Sequence, residues 1–141
     1  MNNSRSWSKR AGEIARSYLS NVDELAGRRE NSRMRRSIAA HKNRGISKPV
    51  ESEALRIAAD QRIAQLEREV EAVEWAFAVL RTIKGGEEIA KVAAALYITK
   101  DRVSVDRVAY EQHFCRATVF NYNRTFLKLV AARLGIWAPP I

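Results

Sequence analysis

Arginine and asparagine side chains stand at Arg116, Asn121 and Arg124, a spacing that brings them to one side of a helix. Ala117 and Phe120 share that side. A guanidinium group can donate two hydrogen bonds to a guanine edge, and a carboxamide can pair in the same way with an adenine edge. The chemistry that this row indicates is recognition of bases in a DNA major groove. The base-reading candidates are therefore Arg116, Ala117, Phe120, Asn121 and Arg124.

Two further sets of residues suit contacts with phosphates. Thr118 lies near the start of the same predicted helix and Lys128 lies farther along it. The chain carries a formal net charge of +9, and residues 1–50 hold 12 Lys and Arg against 4 acids, whereas residues 51–141 hold 13 against 12. A dense cationic run neutralises the closely spaced charges of nucleic acid. The phosphate candidates in the N-terminal run are Arg28, Arg29, Arg33, Arg35 and Arg36.

A pair of helices must position the row of base-reading candidates. Val105, Val108 and Ala109 predict the inner face of a short helix, which Ser104 can cap by accepting a backbone N–H bond. A tight turn at residues 112–115 leads to a long helix over 116–134, and two helices joined so closely must cross steeply. Large apolar residues fall on the side of the long helix opposite the candidates. They are Val119, Tyr122, Phe126, Leu129, Val130 and Leu134.

The stretch SVDRVAYEQHFCRATVFNYNRTFLKLVAARLG resembles the C-terminal helix-turn-helix of phage late-gene transcriptional regulators of the ArpU and RinA type, a module similar to region 4 of bacterial sigma factors. The residues that carry the likeness are Ala109, Cys115, Thr118, Val119, Leu127, Ala131, Leu134 and Gly135. The preceding LEREVEAVEWAFAVL is similar to a charged helix of that family, so the likeness covers residues 60–136. The resemblance implies regulation of phage or prophage late transcription, with double-stranded DNA and RNA polymerase as partners.

The family usually has glycine where this chain has His113, and serine or threonine where it has Cys115. We expect His113 to adopt left-handed backbone angles, which cost a residue with a side chain about 1 kcal/mol. A thiol is also a weaker acceptor than a hydroxyl, so Cys115 should cap the long helix poorly.

Residues 51–84 carry a heptad pattern in which apolar residues follow alternating steps of three and four. The seam consists of Ile63, Leu66, Val70, Val73, Phe77 and Leu80. Gly85 and Gly86 should end this helix, which at about 50 Å is too long for the rest of the chain to cover completely. A second copy or the downstream helices must cover the stripe, and we expect a homodimer or higher homo-oligomer formed through these six residues.

The predicted fold class is all-α: a long heptad-patterned central helix followed by a C-terminal helix-turn-helix bundle. Residues 1–48 form a basic N-terminal arm, partly helical or disordered, and residues 43–52 form a linker because Gly45, Ser47 and Pro49 interrupt the periodicity. Residues 51–84 are the central oligomerisation helix. Residues 86–138 are the DNA-binding domain.

Several classes of function receive no support from the sequence. No apolar run reaches the roughly 18 residues that a membrane helix needs, so we expect a cytoplasmic protein without a membrane partner. The single cysteine excludes an internal disulfide or a zinc site built on paired cysteines. Without a phosphate-binding glycine loop or a metal-ligand cluster, we expect no enzyme, no cofactor and no metal, and we interpret His113 and Cys115 as turn residues.

The favoured interpretation is a sequence-specific DNA-binding transcriptional regulator that reads the major groove with residues 116–134. One alternative is a phage small terminase-like protein, which would recognise packaging DNA and assemble into a ring. Another is an RNA-binding antiterminator, because an arginine-rich arm can fold on structured RNA.

Overall fold

The computed structural model describes residues 4–41 and 50–137, and these residues form helices and no strand, which confirms the all-α prediction. The predicted linker falls largely on residues 42–49, outside the described residues. Six helices follow one another in this part of the chain. They are α1 (Ser4–Arg16), α2 (Tyr18–His41), α3 (Val50–Thr82), α4 (Gly86–Tyr97), α5 (Val105–Gln112) and α6 (Arg116–Leu134).

The main core lies where α3, α4 and α6 meet. Phe126 of α6 is fully buried there. Its ring centroid lies 4.9 Å from that of Phe77 on α3 and 5.7 Å from that of Tyr97 on α4. Farther along α6, Arg133 forms an ion pair with Glu71 of α3, with Nη2 and Oε1 separated by 2.8 Å. Because the later residue of α6 meets the earlier residue of α3, the two helices run antiparallel, and the first half of α6 projects toward the C-terminal end of α3.

Two glycines form the sharp connection from α3 to α4. Gly85 has a φ of 77°, a left-handed angle that glycine adopts without steric cost. A Cβ atom at Gly86 would fall 1.8 Å from the carbonyl oxygen of Leu80, so only glycine fits there. The prediction that this pair ends the long helix is confirmed, because α3 ends at Thr82.

Helix α1 belongs to the same core, although the sequence predicts a basic arm over residues 1–48. Trp7, Ala11, Ile14 and Ala15 are buried and lie on one face of α1 at the spacing of a helix that packs against a core. The Trp7 ring centroid lies 5.6 Å from that of Trp137, beyond the end of α6. Helix α1 agrees with the partly helical alternative predicted for residues 1–48, and its apolar face is covered by α6 and the residues that follow it.

Helix α2 covers the first part of the heptad seam on α3. Leu25 of α2 is buried in a cluster with Leu66 and Val70, and Ile63 packs against this cluster. The remaining seam residues, Val73, Phe77 and Leu80, belong to or pack against the main core. The assignment of this stripe to contacts between copies is thereby corrected, because helices of the same chain already occupy it.

An ion-pair network joins α2 to α3 beside that cluster. Glu24 accepts hydrogen bonds from Arg62 Nε at 3.0 Å and from Arg28 Nε at 2.7 Å. Hydrogen bonds from these two guanidinium groups, led by Arg62, lower the pKa of Glu24 from 4.5 to about 2. A lowered folded-state pKa means that the charged carboxylate stabilises the fold above the unfolded-state pKa, and that this contribution is lost as the pH falls toward 2.

We expect Glu24→Gln to lower the free energy of unfolding at pH 7, where Glu24 is ionised in both states and its bonds to Arg62 and Arg28 stabilise only the folded one. The difference from the unsubstituted protein should shrink between pH 4.5 and pH 2. Urea unfolding at several pH values measures it. Glu87→Gln, at an exposed position on α4, is the control, and equal behaviour of the two variants would contradict the role of Glu24.

Candidate nucleic-acid interface

Helix α5 and helix α6 are joined by a three-residue turn whose backbone is closed by local hydrogen bonds. The Ser104 hydroxyl accepts from the Arg107 amide at 3.2 Å, as expected for a cap at the start of α5. At the end of α5, His113 has φ 60° and ψ 37°, the left-handed conformation predicted for it. The Phe114 amide donates to the Ala109 carbonyl at 3.0 Å and completes the turn.

A small apolar cluster beneath the turn fixes the angle between α5 and α6. Val92 of α4, Val108 and Ala109 of α5, and Val119 of α6 are buried together. Two aromatic rings and one hydrogen bond lie beside this cluster. The rings of Phe114 and Tyr122 meet edge to face with centroids 5.4 Å apart, and Gln112 Nε2 donates to the Lys91 carbonyl at 3.3 Å. Both helices are therefore anchored to α4, and the first turn of α6 is held in a defined direction.

Cys115 occupies the cap position of α6 with extended backbone angles, φ −75° and ψ 157°. Its side chain makes no capping bond to the helix backbone, and its Sγ lies 3.0 Å from the Thr118 hydroxyl oxygen. This hydrogen bond lowers the pKa of the Cys115 thiol below its ordinary value. The backbone at Cys115 therefore has the geometry of a helix N-cap, but the thiol in that position is a weak hydrogen-bond acceptor.

Cys115→Ser should raise the free energy of unfolding by about 0.5–1 kcal/mol, because a hydroxyl in this geometry can accept an amide hydrogen bond at the start of α6. Denaturant unfolding measures the change. Cys115→Ala serves as the control, since alanine lacks any acceptor. Equal stability of the serine and alanine variants would show that the cap position contributes nothing.

The base-reading candidates lie side by side on the surface of α6. Arg116, Ala117, Asn121 and Arg124 are exposed, and Phe120 retains 46% of its accessible surface although it is a large apolar side chain. No acid follows Glu111 in the sequence, so α6 itself carries no negative side chain. The row thus presents two guanidinium groups and one carboxamide to solvent, beside a small residue and an aromatic ring.

Arg116 is oriented by two neighbours. Its guanidinium carbon lies 5.4 Å from the centre of the Phe120 ring, and its Nε lies 3.4 Å from Asp106 Oδ1 on α5. Arg124 forms no ion pair with a carboxylate of the described residues. Arg124 is therefore the cation of this row whose charge is least compensated by the protein's own acids.

The two phosphate candidates on α6 lie in different environments. Thr118 is half-buried beside the turn, and its hydroxyl faces the Cys115 thiol. Lys128 is also half-buried, with its Nζ 5.5 Å from the centre of the Trp137 ring. Thr118 thus lies close to the base-reading row, whereas Lys128 lies toward the C-terminal half of the helix.

The arginines of α2 lie away from this row, and several already have carboxylate partners. Arg28 pairs with Glu24 at 2.7 Å, Arg33 with Glu30 at 3.7 Å, and Arg29 with Glu67 of α3 at 3.8 Å. Arg35 and Arg36 are exposed farther along α2, and Arg36 lies 3.5 Å from the Ser32 hydroxyl.

A distance along α3 shows how far apart the two cationic regions are. Glu67 of α3 pairs with Arg29 of α2. Phe77, ten residues farther along α3, contacts the middle of α6. At a rise of about 1.5 Å per residue, these two points lie roughly 15 Å apart on α3, and Asn121 lies still farther away along α6. The structure therefore does not bring the arginines of α2 together with the base-reading candidates.

Helix α1 does lie beside the row of base-reading candidates, which the sequence pattern does not predict. An open cleft of about 540 Å³ lies at the surface where α1 packs beside α6. Its walls include Lys9 and Arg16 of α1 and Asn121 and Arg124 of α6. One sequence signal could have located the α1 wall of the cleft. Small or polar residues recur every four positions beside the buried face of α1, at Ser8, Gly12 and Arg16.

A part-buried hydrogen bond joins two residues that line the same cleft. The Tyr97 hydroxyl of α4 donates to Asn123 Oδ1 of α6. Burial raises the pKa of Tyr97, so its hydroxyl remains a donor throughout the neutral range. Asn123 is therefore held toward the protein, which leaves Asn121 as the amide that faces outward.

Comparison of the chain with known protein families, with curated proteins and with solved structures finds no match. Within residues 4–41 and 50–137, no helix is both long and apolar enough to span a membrane.

Proposed function

We propose that this protein binds duplex DNA by placing the exposed row of α6 in a major groove, and that it regulates transcription from the sites it recognises. Arg116 and Arg124 would each donate to the O6 and N7 atoms of a guanine, and Asn121 would pair with the N6 and N7 atoms of an adenine. Ala117 allows close approach, and Phe120 supplies an apolar contact for a thymine methyl group.

The observation that carries the proposal is the two-sided character of α6. One side holds Val119, Phe126 and Val130, which are fully buried, while the opposite side of the first half presents Asn121 and Arg124 to solvent. A helix that enters a groove needs both an anchored inner face and an open polar outer face near its N-terminus. The tight turn at His113 supports the proposal, because it leaves the start of α6 unobstructed by a long loop.

The proposed regulatory role rests on the resemblance of residues 104–135 to phage late-gene regulators. By that resemblance, RNA polymerase is a second partner, contacted when the protein is bound to DNA. Co-purification of polymerase with the DNA-bound protein, compared with protein on a duplex lacking the site, tests this part separately.

Selection of bound fragments from a genomic library tests the proposal, with the mass of the complex measured on the same sample. We expect enrichment of a short duplex sequence upstream of transcribed genes. A ring of many subunits on packaging DNA would contradict it in favour of a terminase-like role. Stronger binding to structured RNA than to any duplex would contradict it in favour of antitermination.

A further inference from the structure

The α1 wall of the cleft between α1 and α6 consists mostly of residues outside the core, with the core residue Trp7 at its edge. Trp7, Ala11 and Ile14 hold α1 against the core through its buried face, and the Trp7 ring contacts the Trp137 ring at an interplanar angle of 46°. The neighbouring side of α1 lines the cleft with Ser8, Lys9, Gly12, Glu13 and Arg16. Because α1 packs against the core through its buried face, this neighbouring side lies beside α6 in a defined position.

The charge in the cleft is predominantly positive. Lys9 and Arg16 of α1 face Arg124 of α6 across it, against the single acid Glu13, and all four side chains are exposed. Lys9 and Arg16 are separated by two helical turns, which is about 10 Å at a rise of 1.5 Å per residue. Phosphates follow one another along a DNA strand at an axial spacing of about 3.4 Å, so the two cations span a few consecutive phosphates.

We propose that α1 is a second DNA-contacting element, with Lys9 and Arg16 binding backbone phosphates of the strand that borders the groove read by α6. This inference rests on the proposed function and extends it. The cleft takes the sugar-phosphate backbone, while Asn121 and Arg124 on its other wall reach toward the bases. Glu13 lies in the same cleft and opposes phosphate there, so it limits how deeply the strand enters.

The salt dependence of DNA binding provides the test. Each phosphate contact contributes about 0.9 to the slope of log K against log salt, because its formation releases counterions. Lys9→Gln and Arg16→Gln should each reduce the steepness by about that amount and weaken binding to all duplexes alike, and Glu13→Gln should tighten binding. Arg10→Gln is the matched control, since Arg10 is an exposed cation on the same helix that does not line the cleft.

The outcomes separate this inference from the proposed function. Equal slopes for Lys9→Gln, Arg16→Gln and Arg10→Gln would overturn the role of α1, while loss of specific binding in Asn121→Ala would leave the function of α6 standing. Preference for structured RNA, with the same variants weakening RNA binding, would overturn both. All substitutions are at exposed positions, and thermal midpoints within a degree or two of the unsubstituted protein confirm that the fold is intact.

Discussion

Replacing Phe126 with alanine should lower the free energy of unfolding by about 3–5 kcal/mol, the range seen for removal of a fully buried aromatic ring. Phe126 is fully inaccessible, and its ring meets Phe77 of α3 and Tyr97 of α4. Three helices are therefore in contact through this side chain. The cavity left by alanine could collapse only if those helices shifted relative to one another, which the surrounding close packing resists.

Denaturant unfolding of Phe126→Ala should be compared with that of Phe120→Ala. The two residues are of the same type on the same helix, but Phe120 is 46% exposed. The Phe120 variant should change stability by roughly 0.5 kcal/mol or less, as surface substitutions usually do. Similar losses in the two variants would show that the inner and outer faces of α6 are wrongly assigned.

Simultaneous replacement of Asn121 and Arg124 by alanine should weaken binding to the selected duplex by at least about 2 kcal/mol, roughly thirtyfold, since each paired contact with a base edge discriminates by about 1–3 kcal/mol. Binding to unrelated duplexes should fall much less. Both side chains are exposed, and neither forms an ion pair with a carboxylate of the residues that the structure describes. Their removal should therefore leave the fold unchanged. Specificity for one or two base positions should relax.

Competition binding with selected and scrambled duplexes measures this effect. A matched control replaces Asn31 and Arg68, which are exposed residues of the same types on α2 and α3. That control should retain the ratio of specific to nonspecific affinity. If both double variants lose affinity equally for all duplexes, Asn121 and Arg124 act only through charge and are not base readers.

Features that depend on neighbours in the sequence could be predicted well. The expected central helix, 51–84, matches α3 at Val50–Thr82 to within two residues at each end. Gly85, the Ser104 cap and the left-handed His113 also lie where local backbone rules placed them. Each of these depends on the steric or hydrogen-bonding preference of a short segment, which the sequence contains directly.

Contacts between distant segments could not be predicted in the same way. The heptad stripe showed that Leu66 and Val70 must be covered, but apolar burial is not directional, and a second copy would satisfy it as well as Leu25 does. Trp7 finds its partner in Trp137, at the opposite end of the chain. Its spacing with Ala11 and Ile14 indicates a buried face without indicating which helix will cover it.

The candidate site shows the same division. Periodicity placed the candidate row on the outer face of α6, and its residues are exposed in the structure. It did not assign Leu127 and Ala131 to the inner face, although both are buried. The packing of separate helices decides that α1 borders this row and that the arginines of α2 lie elsewhere. Periodicity within one helix does not predict either placement. The surface proposed for nucleic-acid binding is therefore composed of segments that no single motif contains.

Cleavage of DNA by a reagent attached to Cys115 tests most directly whether the start of α6 lies in a groove of a specific duplex. This residue is the single cysteine of the chain, is exposed, and stands at the cap of α6 next to Arg116. An iron chelate tethered there should cut the selected duplex at a few adjacent nucleotides within the recognised sequence. Cuts spread evenly along the duplex would contradict the placement of α6 in the groove. So would a second result, measured on the unlabelled protein, in which bound DNA leaves the Cys115 thiol fully reactive.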